Sequence, residues 1–359
     1  MLILLFNYKN FIILVSLLKN ISQHLSNLLL VTVIDMTDDP INIPTVSGVV
    51  DIDVDTAYSQ IKDMRIHGAG RIARLAASAL KNYVDNSNSS DREQLYKNIM
   101  KEGEKLRSAR PTAVSLPNGV NIVLASTKKS YNAGDSADNI KEATVKAAEQ
   151  FVHNSLDAYN KIGEYGGKRI RNGDTVITIC NSEAAISVLK AAHDMGKGIK
   201  IICCETRPLF QGHKTAATLS KHGCDVTIII DSAARRFVEK ADRAVCGADA
   251  VAVNGAVVNK IGTSQLAAVA HEARVKLMAA AETYKFYADT MYGELTEIEE
   301  RDATEVCSEE YLKAYPNIKI RNPVFDVTPP ENIDVIVTEK GIIPPSAASL
   351  VIKDLIELM

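Results

Sequence analysis

Cys180 and Asp249 carry the strongest chemical signal in the chain, and neither carries it alone. Cys180 ends the apolar run TVITIC, and the next residues, Asn181 and Ser182, are of types that cap a helix. A cysteine at a helix N-terminus sits in a positive local field that favours thiolate and lowers its pKa from about 8.5. It could serve as nucleophile or base; a buried structural cysteine is the plain alternative. Asp249 lies in Gly247-Ala248-Asp249, just past the apolar run at Ala244 to Cys246. An acid so placed is either paired, or neutral and able to donate a proton, because an unpaired buried carboxylate is costly. A turn or cap aspartate is its plain alternative.

The remaining candidates are suited to holding an anion. His67-Gly68-Ala69-Gly70 superficially matches a dinucleotide fingerprint, but YSQIKDMRI before it does not read as the strand that fingerprint requires. Nicotinamide binding is therefore rejected. The physical content survives, because glycines allow close backbone approach and the helix that follows offers free amides. Arg110, Lys260 after Asn259, and Lys285 in ETYKF are side chains of the kind that bind phosphate or hydroxyl groups. Each alone is more often a solvated surface charge.

Positioning these residues requires a particular order of elements. From Asp53 to about Lys161, apolar residues recur at three- and four-residue spacing, which predicts helices. After Gly173 short apolar runs alternate with helical stretches: TVITIC, IKIICC, VTIII, the run at Ala244 to Cys246, VKLMAAA and IDVIVTE. That alternation predicts a parallel sheet covered by helices on both faces. The fold class is α/β, a helical N-terminal domain over 36–165 followed by a Rossmann-like domain over 166–359, with the seam near Gly166-Gly167. In such sheets ligands bind beyond the carboxyl ends of the strands. Cys180, Glu205-Thr206-Arg207, Asp231, Asp249, Asn259-Lys260 and Glu282-Thr283-Tyr284-Lys285 all follow strand-like runs, so they are expected at one edge.

Bulk properties narrow the class. The chain has 359 residues, enough for two domains, and a net charge of −3, without the basic excess of a dedicated nucleic-acid binder. Its six cysteines form no C-x-x-C pair and no Cys/His cluster with zinc spacing, so neither metal nor redox cofactor is called for. Cys203 and Cys204 are neighbours on one strand and must point to opposite faces. Residues 1–35 have apolar runs broken by Asn7, Lys9, Lys19, Asn20 and Gln23, short of the ~18 to 20 continuous apolar residues of a membrane span. They lack the marks of a signal peptide, and Met36 opens ordinary acidic sequence. Residues 1–35 are accordingly expected to reflect a start codon set too early, with an N-terminal membrane anchor as the alternative.

Several linked segments occur together: RIHGAGRIARLAA, SARPTAVSLPNGV, ICNSEAAISVLK, ETRPLFQG, DSAARRF, GADAVAVNGAVVNKIGT, AAETYKF, NPVFDVTPPENID and TEKGIIPP. In this order they resemble the archaeal ribose-1,5-bisphosphate isomerases, relatives of the alpha, beta and delta subunits of translation initiation factor 2B. The resemblance runs from about Asp53 to the C-terminus. It implies that Cys180 accepts and Asp249 donates a proton. It assigns substrate contacts to His67, Gly68, Ala69, Gly70, Arg110, Ser182, Asn259, Lys260 and Lys285. His67 is a departure, since such isomerases usually carry Arg there; histidine binds phosphate more weakly and with pH dependence.

The reaction so implied turns α-D-ribose 1,5-bisphosphate into D-ribulose 1,5-bisphosphate, without a cofactor, in AMP and nucleoside salvage. The resemblance further implies a cytoplasmic homo-oligomer, a hexamer built from dimers, with AMP as activator and with neither nucleic-acid nor membrane partners. Two alternatives stand beside it: a methylthioribose-1-phosphate isomerase, and a non-catalytic subunit of the initiation factor 2B type.

Overall fold

The computed structural model describes residues 48–294 and 297–359. The expectations for residues 1–35 and for Met36 fall outside the described residues. Among the described residues five helices come first: α1 (Val54–Lys62), α2 (Ala69–Asp85), α3 (Arg92–Ser108), α4 (Ser115–Asn132) and α5 (Ala137–Arg169). Each forms for a local reason. In α2 the strong helix formers Ala, Leu and Arg dominate, and Ile72, Leu75, Ala76, Ala79 and Leu80 make one buried stripe. Helix α5 starts at Ser136, whose hydroxyl accepts the Asn139 amide at 3.3 Å. It buries Ile140, Ala148, Val152, Ser155 and Ile162 along one face.

The sequence then alternates as expected: β1 (Thr175–Thr178), α6 (Glu183–Asp194), β2 (Lys200–Cys204), α7 (Gln211–Lys221), β3 (Asp225–Ile229), α8 (Ala234–Val238) and β4 (Arg243–Cys246). After these come β5 (Ala250–Val251), β6 (Val257–Lys260), α9 (Thr263–Glu272), β7 (Lys276–Ala280), α10 (Glu309–Ala314), β8 (Phe325–Thr328), β9 (Val335–Thr338), β10 (Gly341–Ile343) and α11 (Ala348–Leu358). Seven strands form one sheet in the order β10-β9-β7-β4-β1-β2-β3, parallel except for the β10–β9 pair. The α/β reading with a parallel sheet holds.

The continuous apolar runs are explained by two cores, one on each face. Ile177, Ile202, Cys204, Cys246, Leu277, Ala279 and Ile336 point to the side covered by α9 and α11. Their neighbours Val176, Ile201, Cys203, Val245, Met278, Ala280 and Val337 point to the side covered by α5, α6 and α7. Cys203 and Cys204 thus face opposite cores, as strand alternation requires. Burying each such side chain stabilises the fold by about 1.5–3 kcal/mol for the larger ones. Edge strand β3 is the exception, with Ile228 exposed.

Two features differ from the sequence reading. Past the run at Ala244 to Cys246 the chain leaves the main sheet: β5, β6 and β8 form a separate antiparallel sheet in the order β5-β6-β8. Asn259 and Lys260 therefore lie within β6 and are buried, rather than following a strand. The short segments Ala250–Val251 and Val257–Lys260 carry the same apolar texture as the main strands, so periodicity could not separate the sheets. The Gly166-Gly167 pair, for its part, falls inside the last turns of α5. There a Cβ on Gly166 would stand 2.5 Å from Val188 Cγ2, so the glycines let α5 lie close on α6.

Candidate functional site

Because β1, β2, β3, β4, β7 and β9 all run the same way, their carboxyl ends meet at one edge. The chain winds from β1 out through β2 to β3, then returns to the other side of β1 with β4 and continues to β7 and β9. The winding reverses between β1 and β4, which is where such sheets open a crevice for ligands. Cys180 lies just beyond β1 and Asp249 just beyond β4. The reversal brings the two together.

Cys180 is held in the left-handed region, φ 69, a conformation costly for a residue with a Cβ. Two partners hold its backbone there. The Cys180 amide donates to Thr206 Oγ1 at 2.9 Å, and the Cys180 carbonyl accepts from Thr215 Oγ1 at 2.7 Å. Thr206 in turn donates its amide to Asp231 Oδ1 at 2.8 Å, so the ends of β1, β2 and β3 are laced together. Asp249 is fixed by its amide, which donates to the Val258 carbonyl at 2.8 Å as the small sheet begins.

The expectation of a lowered Cys180 pKa is corrected. Burial pushes the thiol up to about 11. The Lys260 ammonium opposes that rise, the Asp249 carboxylate adds to it, and the Asn181 amide and Lys285 pull it down. The helix-end field exists, but desolvation outweighs it, because burial disfavours the charged thiolate.

Ser182 caps α6, accepting the Ala185 amide at 3.4 Å. It packs directly on Gly247: any Cβ at 247 would overlap the Ser182 side chain. The bare backbone of Gly247 is what allows the α6 N-terminus to reach the β4 end, with the Asn259 Oδ1 beyond. Asn259 Nδ2 donates to Thr263 Oγ1 at 2.9 Å. Lys260, 9% exposed, has its ammonium 5.0 Å from the Phe325 ring centroid. Among the described residues no carboxylate lies within 4.0 Å of that ammonium, so its charge is available to an anion.

Lys285 follows β7 in a short 3₁₀ turn and pairs with Glu282, Nζ to Oε2 2.7 Å. The loop of His67, Gly68, Ala69 and Gly70 follows α1, so a helix and not a strand precedes it. His67 and Gly68 are exposed, and Gly68 starts α2 at φ 99. The loop reaches the sheet edge through its neighbours. Arg71 Nη2 bonds Glu183 Oε1 in the first turn of α6 at 2.8 Å, Ser115 Oγ donates to the Ala69 carbonyl at 2.8 Å, and Gly70 lies against the Tyr159 and Tyr284 hydroxyls.

Arg110 is placed differently. Its guanidinium grips Glu299 in a two-pronged pair, Nε to Oε1 3.1 Å and Nη2 to Oε2 2.7 Å, and Thr112 bonds the same carboxylate. An arginine so engaged meets a phosphate only by exchanging one carboxylate for another anion. Glu299 gave no sequence signal, being one of several acids in ELTEIEE. Glu282 did give one: it is an acid directly after the apolar run VKLMAAA, the same pattern that singles out Asp249.

Comparison with known proteins fits this geometry. The sequence model of the initiation factor 2 subunit family matches residues 65–345. The chain belongs to that family. It is 52% identical over 297 residues to the ribose 1,5-bisphosphate isomerase of Methanocaldococcus jannaschii, covering 82% of this chain and 93% of the relative. The ribose 1,5-bisphosphate isomerase of Thermococcus kodakarensis is 49% identical, with 82% and 92% covered. Among solved structures, 5-methylthioribose 1-phosphate isomerase from Pyrococcus horikoshii superposes with a TM-score of 0.69 at 29% identity, covering 86% of this chain and 88% of that one. A translation initiation factor eIF-2B from Pyrococcus horikoshii superposes equally well, with a TM-score of 0.69 at 29% identity, so isomerases and initiation-factor subunits share the fold and it is the sequence relatives that are isomerases.

Proposed function

We propose that the protein converts α-D-ribose 1,5-bisphosphate to D-ribulose 1,5-bisphosphate, with Cys180 as base and Asp249 as acid. The observation that carries the reading is the meeting of Cys180 and Asp249 at the reversal of the sheet, with the Lys260 and Lys285 charges bearing on the same thiol. The isomerases of Methanocaldococcus jannaschii and Thermococcus kodakarensis support the substrate.

The chemistry follows from the substrate. A phosphate on C1 locks the sugar as a ring, so no free aldehyde is present. Cys180 thiolate takes the C2 proton, the C1=C2 bond forms, and the bond from C1 to the ring oxygen breaks as Asp249 protonates that oxygen. The enol phosphate then takes a proton at C1 and releases its C2 hydroxyl proton, leaving a C2 ketone. A thiolate with a carboxylic acid has the same total charge as a thiol with a carboxylate. Moving one proton within the pair therefore prepares both groups at once. Lys260, Lys285, the α6 start at Ser182, Asn259 and the loop His67 to Gly70 hold the phosphates and hydroxyls, with Arg110 joining them on release from Glu299.

The same reading extends to a cytoplasmic homo-oligomer, hexameric and built from dimers, activated by AMP and acting in AMP salvage. No helix among the described residues is long and apolar enough to cross a membrane. Incubation of the purified protein with α-ribose 1,5-bisphosphate, followed by NMR, should show the ketose. The structural likeness to the Pyrococcus horikoshii methylthioribose isomerase favours one rival substrate, methylthioribose 1-phosphate. Turnover of that sugar with none of the bisphosphate would reverse the assignment.

A further inference from the structure

Behind Lys285 lies a buried polar chain that none of the steps above uses. Glu282 is 0% exposed and Lys285 5% exposed, and both follow β7. Glu282 Oε1 accepts the Tyr284 hydroxyl at 2.9 Å while Oε2 faces the Lys285 ammonium. The Tyr284 hydroxyl lies 2.9 Å from Ser155 Oγ on α5. Arg74 on α2, 4% exposed, donates through Nη1 to Ser155 Oγ at 3.0 Å and to the Tyr159 hydroxyl at 3.1 Å. Gly70 caps this cluster, because a Cβ there would meet the Tyr159 and Tyr284 hydroxyls. Asn118 on α4 clamps the turn itself, donating to the Tyr284 and Phe286 carbonyls at 2.9 Å each.

We propose that Glu282 is a positioning residue: its buried carboxylate holds Lys285 as a cation aimed at the Cys180 and Asp249 edge, and the Tyr284–Ser155–Arg74 chain ties that cation to the loop at Gly70. The inference rests on the isomerase reading for its kinetic consequence only. Three lines meet on it. A carboxylate removed from water is stable only with a partner, and Lys285 with Tyr284 supplies it. Lys285 is likewise buried and has Glu282 as its ion-pair partner. The chain runs from α2, which begins at the His67 to Gly70 loop, through Ser155 of α5 to the strand end that carries Lys285, so loop and lysine keep a fixed relation.

The groups facing Lys285 are Glu282 from its own turn, Tyr159 from α5, Asp249 beyond β4 and Cys180 beyond β1. Around Glu282 stand Arg74, Tyr159 and Tyr284, with Glu339 beyond β9 holding the Thr283 amide. Burial works against the Lys285 charge, and Glu282 first, then Tyr159 and Asp249, hold it above its ordinary range. Without the Glu282 charge, desolvation dominates and the ammonium is lost as pH rises through a lower value.

Glu282→Gln keeps the shape and removes the charge. It should lower kcat/KM for ribose 1,5-bisphosphate by about 10- to 100-fold, the range in which outer partners of a functional group act. It should also create an alkaline fall in the pH profile that the wild type lacks, and Glu282→Asp should restore part of the activity without that fall. Tyr284→Phe, a milder change, should give a smaller loss of the same kind. In parallel, protein labelled with 13Cε-lysine is titrated by NMR, with the Lys285 signal assigned by its absence in Lys285→Met. Wild-type Lys285 should stay charged beyond its ordinary range, and the Gln variant should titrate early. A folded Gln variant with an unchanged profile, or a wild-type Lys285 that titrates at or below its ordinary range, overturns the inference. Absence of turnover in the wild type would overturn the substrate reading and leave the NMR result to decide this one.

Discussion

The Asp249 carboxylate raises the Cys180 thiol although the two residues are 69 apart in sequence, because the strands they follow, β1 and β4, are neighbours in the sheet. Val176 pairs with Arg243 and Thr178 with Val245, so the chain leaves both strands at the same height. That pairing brings two residues distant in sequence to the same edge of the sheet.

Cys180→Ser and Asp249→Asn should each lose about 10²- to 10⁴-fold in kcat, the range for a positioned acid or base. Both variants should still bind the bisphosphate, since neither removes a cation. Turnover and calorimetric binding measured side by side check this; near-normal kcat in both, with binding intact, would refute the assignment.

In the ligand-free protein, alkylation of Cys180 should be slow at neutral pH and rise towards a midpoint of about 11. Asp249→Asn removes a charge that opposes thiolate, so the midpoint should move down. Lys260→Met removes a charge that favours it, so the midpoint should move up. Mass-spectrometric mapping of the Cys180 peptide against pH separates these shifts from reaction at Cys307, which also keeps some exposure.

Glu299 is held below its ordinary 4.5, because Arg110 and Thr112 outweigh its burial. A carboxylate lowered in the folded state adds stability above its unfolded value, and that stability is lost as pH falls through the folded one. Glu299→Gln should cost about 1.5–3 kcal/mol at neutral pH, the range for a hydrogen bond to a charged group. The difference should shrink as pH falls below the ordinary carboxylate value of 4.5, because the unfolded chain takes up its proton first. It should also lower KM for the bisphosphate by freeing Arg110. Thermal unfolding at two pH values and steady-state kinetics check both parts.

Gly247→Ala should destabilise by about 1–3 kcal/mol, the usual cost of overpacking, because its Cβ meets the Ser182 side chain. It should also displace the α6 N-terminus and lower activity. Ser182→Gly in the same chain should recover stability but not the helix cap. Melting curves of the single and double variants test the contact; additive losses would argue against it.

Much of this was legible in the residues. Strand–helix alternation and unbroken apolar runs indicated the parallel sheet, since a strand buried on both faces must be apolar at every position. Cys180, Asp249, Lys260 and Lys285 could be named because they follow or end such runs. The misreadings have equally local causes. Helix-end chemistry around Asn181 and Ser182 suggested a thiolate, but composition carries no information on desolvation, which dominates at Cys180. Lys260 was expected to follow a strand and instead lies within one, because the two residues of β5 and the four of β6 are too short to display a sheet of their own.

By itself, then, the sequence determined the class of fold, the order of its elements and most of the polar residues at the carboxyl edge of its sheet, since these depend on local periodicity and residue type. Only the tertiary structure decided which strand ends are neighbours, that Arg110 is engaged by Glu299, and that Glu282, Tyr284, Ser155 and Arg74 form one buried chain. Those relations join residues up to 208 positions apart, Arg74 to Glu282, and no local pattern encodes them. They arise because a buried charge must find a partner wherever packing brings one, and packing is settled by the whole chain at once.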